Sequence, residues 1–278
     1  MSAILDTRAR QWRRFAVLAI ITVAVNLPVI LMVLNAFQTT EQLTTTRHLI
    51  PEHPTLANFV YLSGRTKFWT YLTNSLIVSG GATVLSVVAA TLAGYALSRY
   101  KGRVLVVYAR ALFVVQMFPI ILALIPLFIL FRDLDLINSP ISVIIVYSVV
   151  QLPFATWMAR SFFDTIPREL EEAALVDGCT PFGTFLRIVV PLSGSGIAAI
   201  SIFSFLFSYN EFFVANIFLR DDDAMTLPVG ITMFMQQYAT DWGSLMAAAT
   251  VTLVPTFILF LGVQKYVAYG AVSGGVKG

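Results

Sequence analysis

RELEEAALVDGCTPFGTFLRIVVPL, residues 168–192, is the stretch on which the reading of the whole chain turns. Its grammar is that of two short helices. Pro167 stands where a first helical turn tolerates proline. Glu169, Glu171 and Glu172 follow, where the helix dipole favours anions. Leu170, Ala173 and Ala174 fall on one face at i, i+3, i+4 spacing. Gly178 closes the first helix at the position after its C-cap. Thr180 then caps a second helix, with Pro181 in its first turn. That helix runs through Phe182, Phe185, Leu186 and Ile188 and is expected to stop at Pro191. The spacing predicts an amphipathic hairpin with alanines on its contact face. Together with Asp164 and Asp177, residues 160–192 hold five of the chain's 15 acids. Helices that lie on a membrane surface are rich in Lys and Arg. An acidic hairpin is repelled by anionic headgroups, so its partner is expected to be a protein.

Outward from the hairpin the chain becomes apolar. Of 278 residues 58% are hydrophobic and 12% charged, with a mean hydropathy of +0.81, whereas a soluble domain is about one quarter charged. No single core hides that much apolar surface from water. An ordinary soluble enzyme, a disordered chain and a fibre are thereby excluded, and lipid is the expected solvent. Six runs are close to the ~20 residues that cross a bilayer: Phe15–Phe37, Tyr71–Leu97, Val104–Phe131, Pro140–Ala159, Ser193–Phe218 and Ser244–Val263. Their only charges are Arg110 and Glu211. None alternates as barrel strands do, so each reads as a helix. The expectation is an all-α membrane protein of six transmembrane helices, kinked at Pro119, Pro126, Pro153 and Pro255. The basic leader of the first run resembles a signal peptide, but the run is long and no small-x-small cleavage site follows it, so an uncleaved anchor is expected.

Lys and Arg set the orientation. With the N-terminus inside, thirteen of the 18 basic residues are cytoplasmic and five, Arg47, Arg65, Lys67, Arg132 and Arg220, are outside. Both termini are then cytoplasmic. The chain divides into a cytoplasmic tail (1–14), a first transmembrane helix (15–37), an extracytoplasmic loop (38–70), a core (71–267) containing the cytoplasmic hairpin loop (160–192), and a cytoplasmic C-terminal tail (268–278). No outer loop is long enough for an enzyme domain. The single Cys179 excludes an internal disulfide, and His48 and His53 are too few for a metal cluster. There is no G-x-x-x-x-G-K-[ST], no H-E-x-x-H, no evident catalytic triad and no basic patch suited to nucleic acid. The chain is not expected to be an enzyme, to hold a cofactor or metal of its own, or to bind nucleic acid.

The run Glu172-Ala173-Ala174, then Gly178, Ile188 and Val190-Pro191, resembles the EAA loop of permease subunits of binding-protein-dependent ABC importers, with Val190 where the family usually has Leu. Leu219-Arg220-Asp221, Thr226-Leu227-Pro228-Val229-Gly230, Trp242-Gly243 and the tail from Ala271 to Gly278 are similar to the carbohydrate-uptake branch, and there to subunits of the kind of the smaller maltose permease. The resemblance implies a type I importer permease fold in the cell (inner) membrane. It also implies a second permease sharing one pathway, two cytoplasmic ATPases that carry ATP and Mg, an extracytoplasmic solute-binding protein and a carbohydrate substrate. It assigns coupling to the ATPase to Glu172, Ala173, Ala174, Gly178, Ile188 and Pro191, the acid pairing with a basic residue of the ATPase. Ser273, Gly274, Gly275 and Lys277 of the tail are implied as a further ATPase contact.

Glu211 is the one acid inside a run, and an intramembrane ionisable group is a functional candidate by default. With Tyr209, Asn210 and Phe212 it offers hydrogen bonds to hydroxyls and a ring to stack on a sugar. The competing expectation is a structural bond to a neighbouring helix. Gln116, in the middle of the third run, is either interhelical glue or a pathway residue. Asp221, Asp222 and Asp223 read as a solvated outer loop. The rival function is an ion-coupled secondary transporter of a small polar solute. That class shows broken helices around mid-membrane ion sites, and the six runs show no pair of breaks.

Overall fold

The computed structural model describes residues 2–45, 49–235 and 240–274, with side chains between 11 and 265. In chain order the helices are α1 (Ser2–Asn35), α2 (Thr40–Thr45), α3 (Ala57–Arg65), α4 (Phe68–Arg99), α5 (Arg103–Met117), α6 (Ile120–Asp133), α7 (Pro140–Phe163), α8 (Glu169–Val176), α9 (Pro181–Thr184), α10 (Val190–Leu192), α11 (Gly194–Asn210), α12 (Phe213–Phe218), α13 (Leu227–Ile231) and α14 (Trp242–Gly274). A π-helical turn, Phe185–Val189, joins α9 to α10. Among the described residues four helices are long and apolar enough to cross a membrane, or up to six spans if each of two bent pairs counts as one.

The chain forms two compact units. One comprises residues 1–66 and 233–253. Its polar anchor is Asn58, whose amide donates to the carbonyls of Ala36 and Gln38, each at 2.8 Å. Thr40 donates to Asp241 at 2.6 Å, and the same Asp241 oxygen accepts from Ser244 N–H. Asp241 thus caps α14, as a short side-chain acceptor at a helix start should. The stretch Gln11–Asn35 of α1 is uncharged apart from Arg13 and Arg14, and it is exposed along most of its length. An apolar helix without a polar face is matched to lipid, not to water.

The second unit, residues 67–232 and 254–278, contains the main helix bundle. The inward face of α4 carries small residues at nearly every turn: Ser75, Ser79, Ala82, Ser86, Ala90 and Gly94. In lipid, close backbone approach replaces the hydrophobic drive between helices, and small side chains permit it. At Gly94 α4 lies close against α7: a Cβ there would lie 2.7 Å from the Cβ of Ala159 and 2.9 Å from the backbone N of Arg160. Gly196 of α11 meets the ring of Phe162 in the same way. Two buried clusters result. One groups Val78, Val143, Tyr147, Val214 and Phe218. The other groups Ala90, Ala155, Phe163, Phe185 and Ile200.

Two of the expected continuous helices are broken. The third run splits into α5 and α6, which meet at 100°. Phe118 and Pro119 are extended there. Proline has no N–H to donate, and the residue before it is driven out of the helical region. Pro126, Pro153 and Pro255 stay inside their helices, so proline alone does not decide a break. The fifth run breaks at Glu211, which is extended between α11 and α12. The expectation that no pair of breaks exists is therefore corrected.

Candidate functional site

The hairpin forms with its caps as its sequence dictates. Gly178 takes φ +87°. Its N–H donates to Leu175 O at 3.1 Å, and Cys179 N–H reaches Ala174 O at 3.0 Å. These two bonds close α8 in a Schellman motif. The Thr180 hydroxyl oxygen accepts from Gly183 N–H at 3.1 Å and starts the second arm. That arm does not stop at Pro191, as expected, but runs on to Leu192. The π turn accommodates the proline: Val190 N–H reaches Phe185 O, five residues back. The wider turn carries Phe185 and Val189 inward. After Leu192 the chain bends by 77° into α11.

The face of α8 that turns inward differs from the expected one. Leu170, Ala173 and Ala174 do not act together: Ala174 is buried, whereas Ala173 is exposed and Leu170 is 45% exposed. With Ala174 goes Glu171, one turn earlier. Its Oε1 accepts from Arg99 Nε at 2.6 Å, and its Oε2 accepts from the Tyr95 hydroxyl at 2.7 Å. The Arg99 and Glu171 side chains are 8% and 11% exposed. Removing one partner from so dry a pair costs about 3–5 kcal/mol, because the other charge is left buried alone.

The rest of the hairpin is open. Glu172 and Ala173 are exposed on α8, with Leu175 and Val176 on its next turn, Val176 87% exposed, and Phe182 on the second arm is 63% exposed. Gly178 and Pro191 are also exposed, and Ile188 is half-buried. A patch of large apolar side chains around one carboxylate, with an alanine where a partner can come close, is the composition of a protein contact. Of the tail residues, Ser273 and Gly274 end α14 and their side chains lie outside the described residues, as do Gly275 and Lys277 altogether.

The expected pathway residues separate. Tyr209 is buried, its ring stacked on Phe205 at 5.3 Å, which removes it from any open surface. Asn210 donates to Leu206 O of its own helix. Phe212 packs against the first buried cluster. Glu211 sits at the break, where its Oε1 accepts from Phe213 N–H at 2.9 Å and its Oε2 from the Tyr147 hydroxyl at 2.6 Å. It satisfies the free N–H groups at the start of α12 and ties them to α7. Its observed bonds are those of the structural alternative. Gln116 lies elsewhere, on the wall of a cavity of about 680 Å³ at the α5–α6 break, lined also by Phe118, Ile120, Leu127, Val149 and Phe207. On the loop between α12 and α13, Asp223 pairs with Lys67 at 2.9 Å and Asp222 with Lys67 at 3.6 Å. The Asn74 amide donates to the carbonyls of Asp223 and Met225. The acid run is thus tethered to the start of α4.

The model of the family described as "binding-protein-dependent transport system inner membrane component" matches residues 82–270, a span that contains the whole hairpin. The chain belongs to this family. It is a multi-pass inner-membrane permease component, and in such systems ATP is hydrolysed by a separate subunit. It is 35% identical over 266 residues to the sulfoquinovosyl glycerol transport system permease protein of Agrobacterium fabrum, covering 95% of this chain and 93% of that one. It is 35% identical over 236 residues to the trehalose/maltose transport system permease protein of Thermococcus litoralis, covering 83% and 84%. Its fold superposes on a chain of a bacterial ABC transporter that imports the acidic polysaccharide alginate, with a TM-score of 0.78 and 21% identity over 94% of this chain and 97% of that one. The fold is that of a type I importer permease. Family membership, and not an absence of broken helices, sets aside the secondary-transporter alternative.

Proposed function

We propose that this permease imports a carbohydrate or a related glycoside, pairs with a second permease around a shared pathway, and is driven by two cytoplasmic ATPases that carry ATP and Mg. An extracytoplasmic binding protein delivers the solute. The chain crosses the membrane six times with both termini in the cytoplasm, an arrangement supported by the Lys and Arg bias. The sugar class rests on the names of the two relatives, whose solutes are a sulfoquinovosyl glycerol and trehalose or maltose. The observation that carries the coupling role is the outward face of α8, where Glu172 and Ala173 stand exposed beside Val176 and Phe182. There Glu172 pairs with a cationic side chain of the ATPase, and Ala173 admits its backbone. Gly178, Ile188 and Pro191 hold the shape of the loop. The tail residues Ser273, Gly274, Gly275 and Lys277 add a second contact with the ATPases.

Co-purification in detergent tests this reading. The wild-type chain is expected to carry an ATPase subunit, whose hydrolysis rises on addition of the transported sugar. Glu172→Lys is expected to insert normally and to lose the ATPase. A variant that retains both the ATPase and full transport contradicts the assignment.

A further inference from the structure

The hairpin is continuous in sequence with α7 and α11, yet it is also fastened to α4, through Arg99, 72 residues before Glu171. A polar band and an aromatic band make the joint. In the first, Glu171 accepts from Arg99 Nε and from the Tyr95 hydroxyl. Arg99 Nη2 also donates to Ile166 O at 3.0 Å, in the segment that leads into α8. Ser98 donates to Asp164, and its carbonyl accepts from Arg168 Nη2 at 3.1 Å. In the second band the Tyr95 ring lies 4.6 Å from that of Phe185 and 5.8 Å from that of Phe163. Both arms of the hairpin therefore hold one side chain of α4: the first arm grips its hydroxyl, the second its ring. Immediately before Tyr95, Gly94 brings the α4 backbone against α7.

We propose that Tyr95, Arg99 and Glu171 are positioning residues that transmit displacement of the hairpin into α4, so that α4, α7 and the hairpin move as one body. This inference rests on the coupling role proposed above. A surface ion pair flexes in water, whereas charges this buried resist separation and make a stiff joint. Adjacent acids on α8 divide the work: exposed Glu172 faces the motor, and buried Glu171 faces the membrane bundle. Rigid-body switching needs such a link between the driven element and the helices that open the path.

The test uses the complete transporter, with its second permease, ATPases and binding protein, reconstituted in vesicles. Uptake and ATP hydrolysis are read on the same sample. Glu171→Gln and Arg99→Gln are expected to lower uptake per ATP hydrolysed at least about tenfold, equivalent to about 1.4 kcal/mol of lost coupling. Tyr95→Phe keeps the ring contacts and removes only the hydroxyl, so a smaller fall of about threefold is expected. Exchanging the charges, Arg99→Glu with Glu171→Arg, is expected to restore a large part of the ratio. A merely structural role lowers yield or melting temperature and leaves the ratio of assembled molecules at the wild-type value, and that result overturns the inference. Should the charge variants not assemble, Tyr95→Phe decides by the same ratio: a fall supports the joint, a wild-type value refutes it. A wild-type chain that binds no ATPase refutes the coupling role itself and is a separate outcome.

Discussion

Glu171 and Glu211 are carboxylates in similar company and different jobs. Each accepts from a tyrosine hydroxyl, Tyr95 in one case and Tyr147 in the other. Glu171 adds a buried guanidinium, Arg99, and binds the hairpin to a helix 72 residues away. Glu211 adds the N–H groups of Phe213 and Val214 and starts the helix that follows it. The first is a joint between elements; the second caps a break within one span and ties it to α7. A lone acid in an apolar run draws attention, and its bonds here are one hydroxyl of a neighbouring helix and the N–H groups of the next turn. The acid that holds a buried guanidinium sits among three in a loop.

Glu172→Lys, next to the joint but on the open face, is expected to abolish transport while leaving the melting temperature near wild type. A large loss of thermal stability would mean that the outward face of α8 packs against its own chain. Arg99→Met alone is expected to destabilise by about 3–5 kcal/mol, whereas Arg99→Met with Glu171→Leu lies near neutral, since no charge is then left buried unpaired. Thermal unfolding in detergent distinguishes them, and equal losses in both would show that the pair is not an isolated joint. Gly94→Leu is expected to cost about 1–3 kcal/mol by overpacking the α4–α7 contact, seen as a lower melting temperature.

Glu211→Ala, the counterpart on the other side of the comparison, is expected to cost about 1–2 kcal/mol, the worth of a helix cap with a charge-assisted bond. Its KM for the transported solute should be unchanged. A raised KM with unaltered stability would return Glu211 to the pathway. The smallest effect belongs to Lys67. The hydrogen bond it donates to Asp223 raises its ammonium pKa above 10.5, against an opposing burial effect. A raised pKa gives a contribution complete below the ordinary value and lost as pH climbs past the folded one. Unfolding followed from roughly pH 6 to 9 should therefore show no Lys67-dependent change, and Lys67→Ala should not shift the melting temperature measurably.

Much of this was written in local patterns. The caps at Gly178 and Thr180 use residues that carry their own geometry, so the hairpin could be located from spacing alone. The apolar runs fall on the long helices α1, α4, α7 and α14 because bilayer thickness sets a length. What failed was long-range or cooperative. Pro119 breaks its helix and Pro126 does not, although both lie in one run. The difference rests on how neighbours satisfy freed backbone groups, which no window of sequence records. Leu170 and Ala173 were grouped with Ala174, but burial follows Glu171 and Ala174, because Arg99 waits on α4. The break at Glu211 was hidden because an extended residue between two apolar helices leaves the hydropathy of the run unchanged.

If an external motor grips the exposed face of α8 from the cytoplasm, Ala173 lies at the contact. The most direct measurement is site-directed cross-linking of Ala173→Cys in a Cys179→Ser background, within sealed vesicles of known sidedness that carry the assembled transporter. A cross-link to the ATP-hydrolysing subunit is expected, formed only with reagent on the cytoplasmic side and lost when Glu172→Lys is added. Labelling of that position by an impermeant reagent from the outer side, or a cross-link to no ATPase in an actively transporting complex, would contradict it.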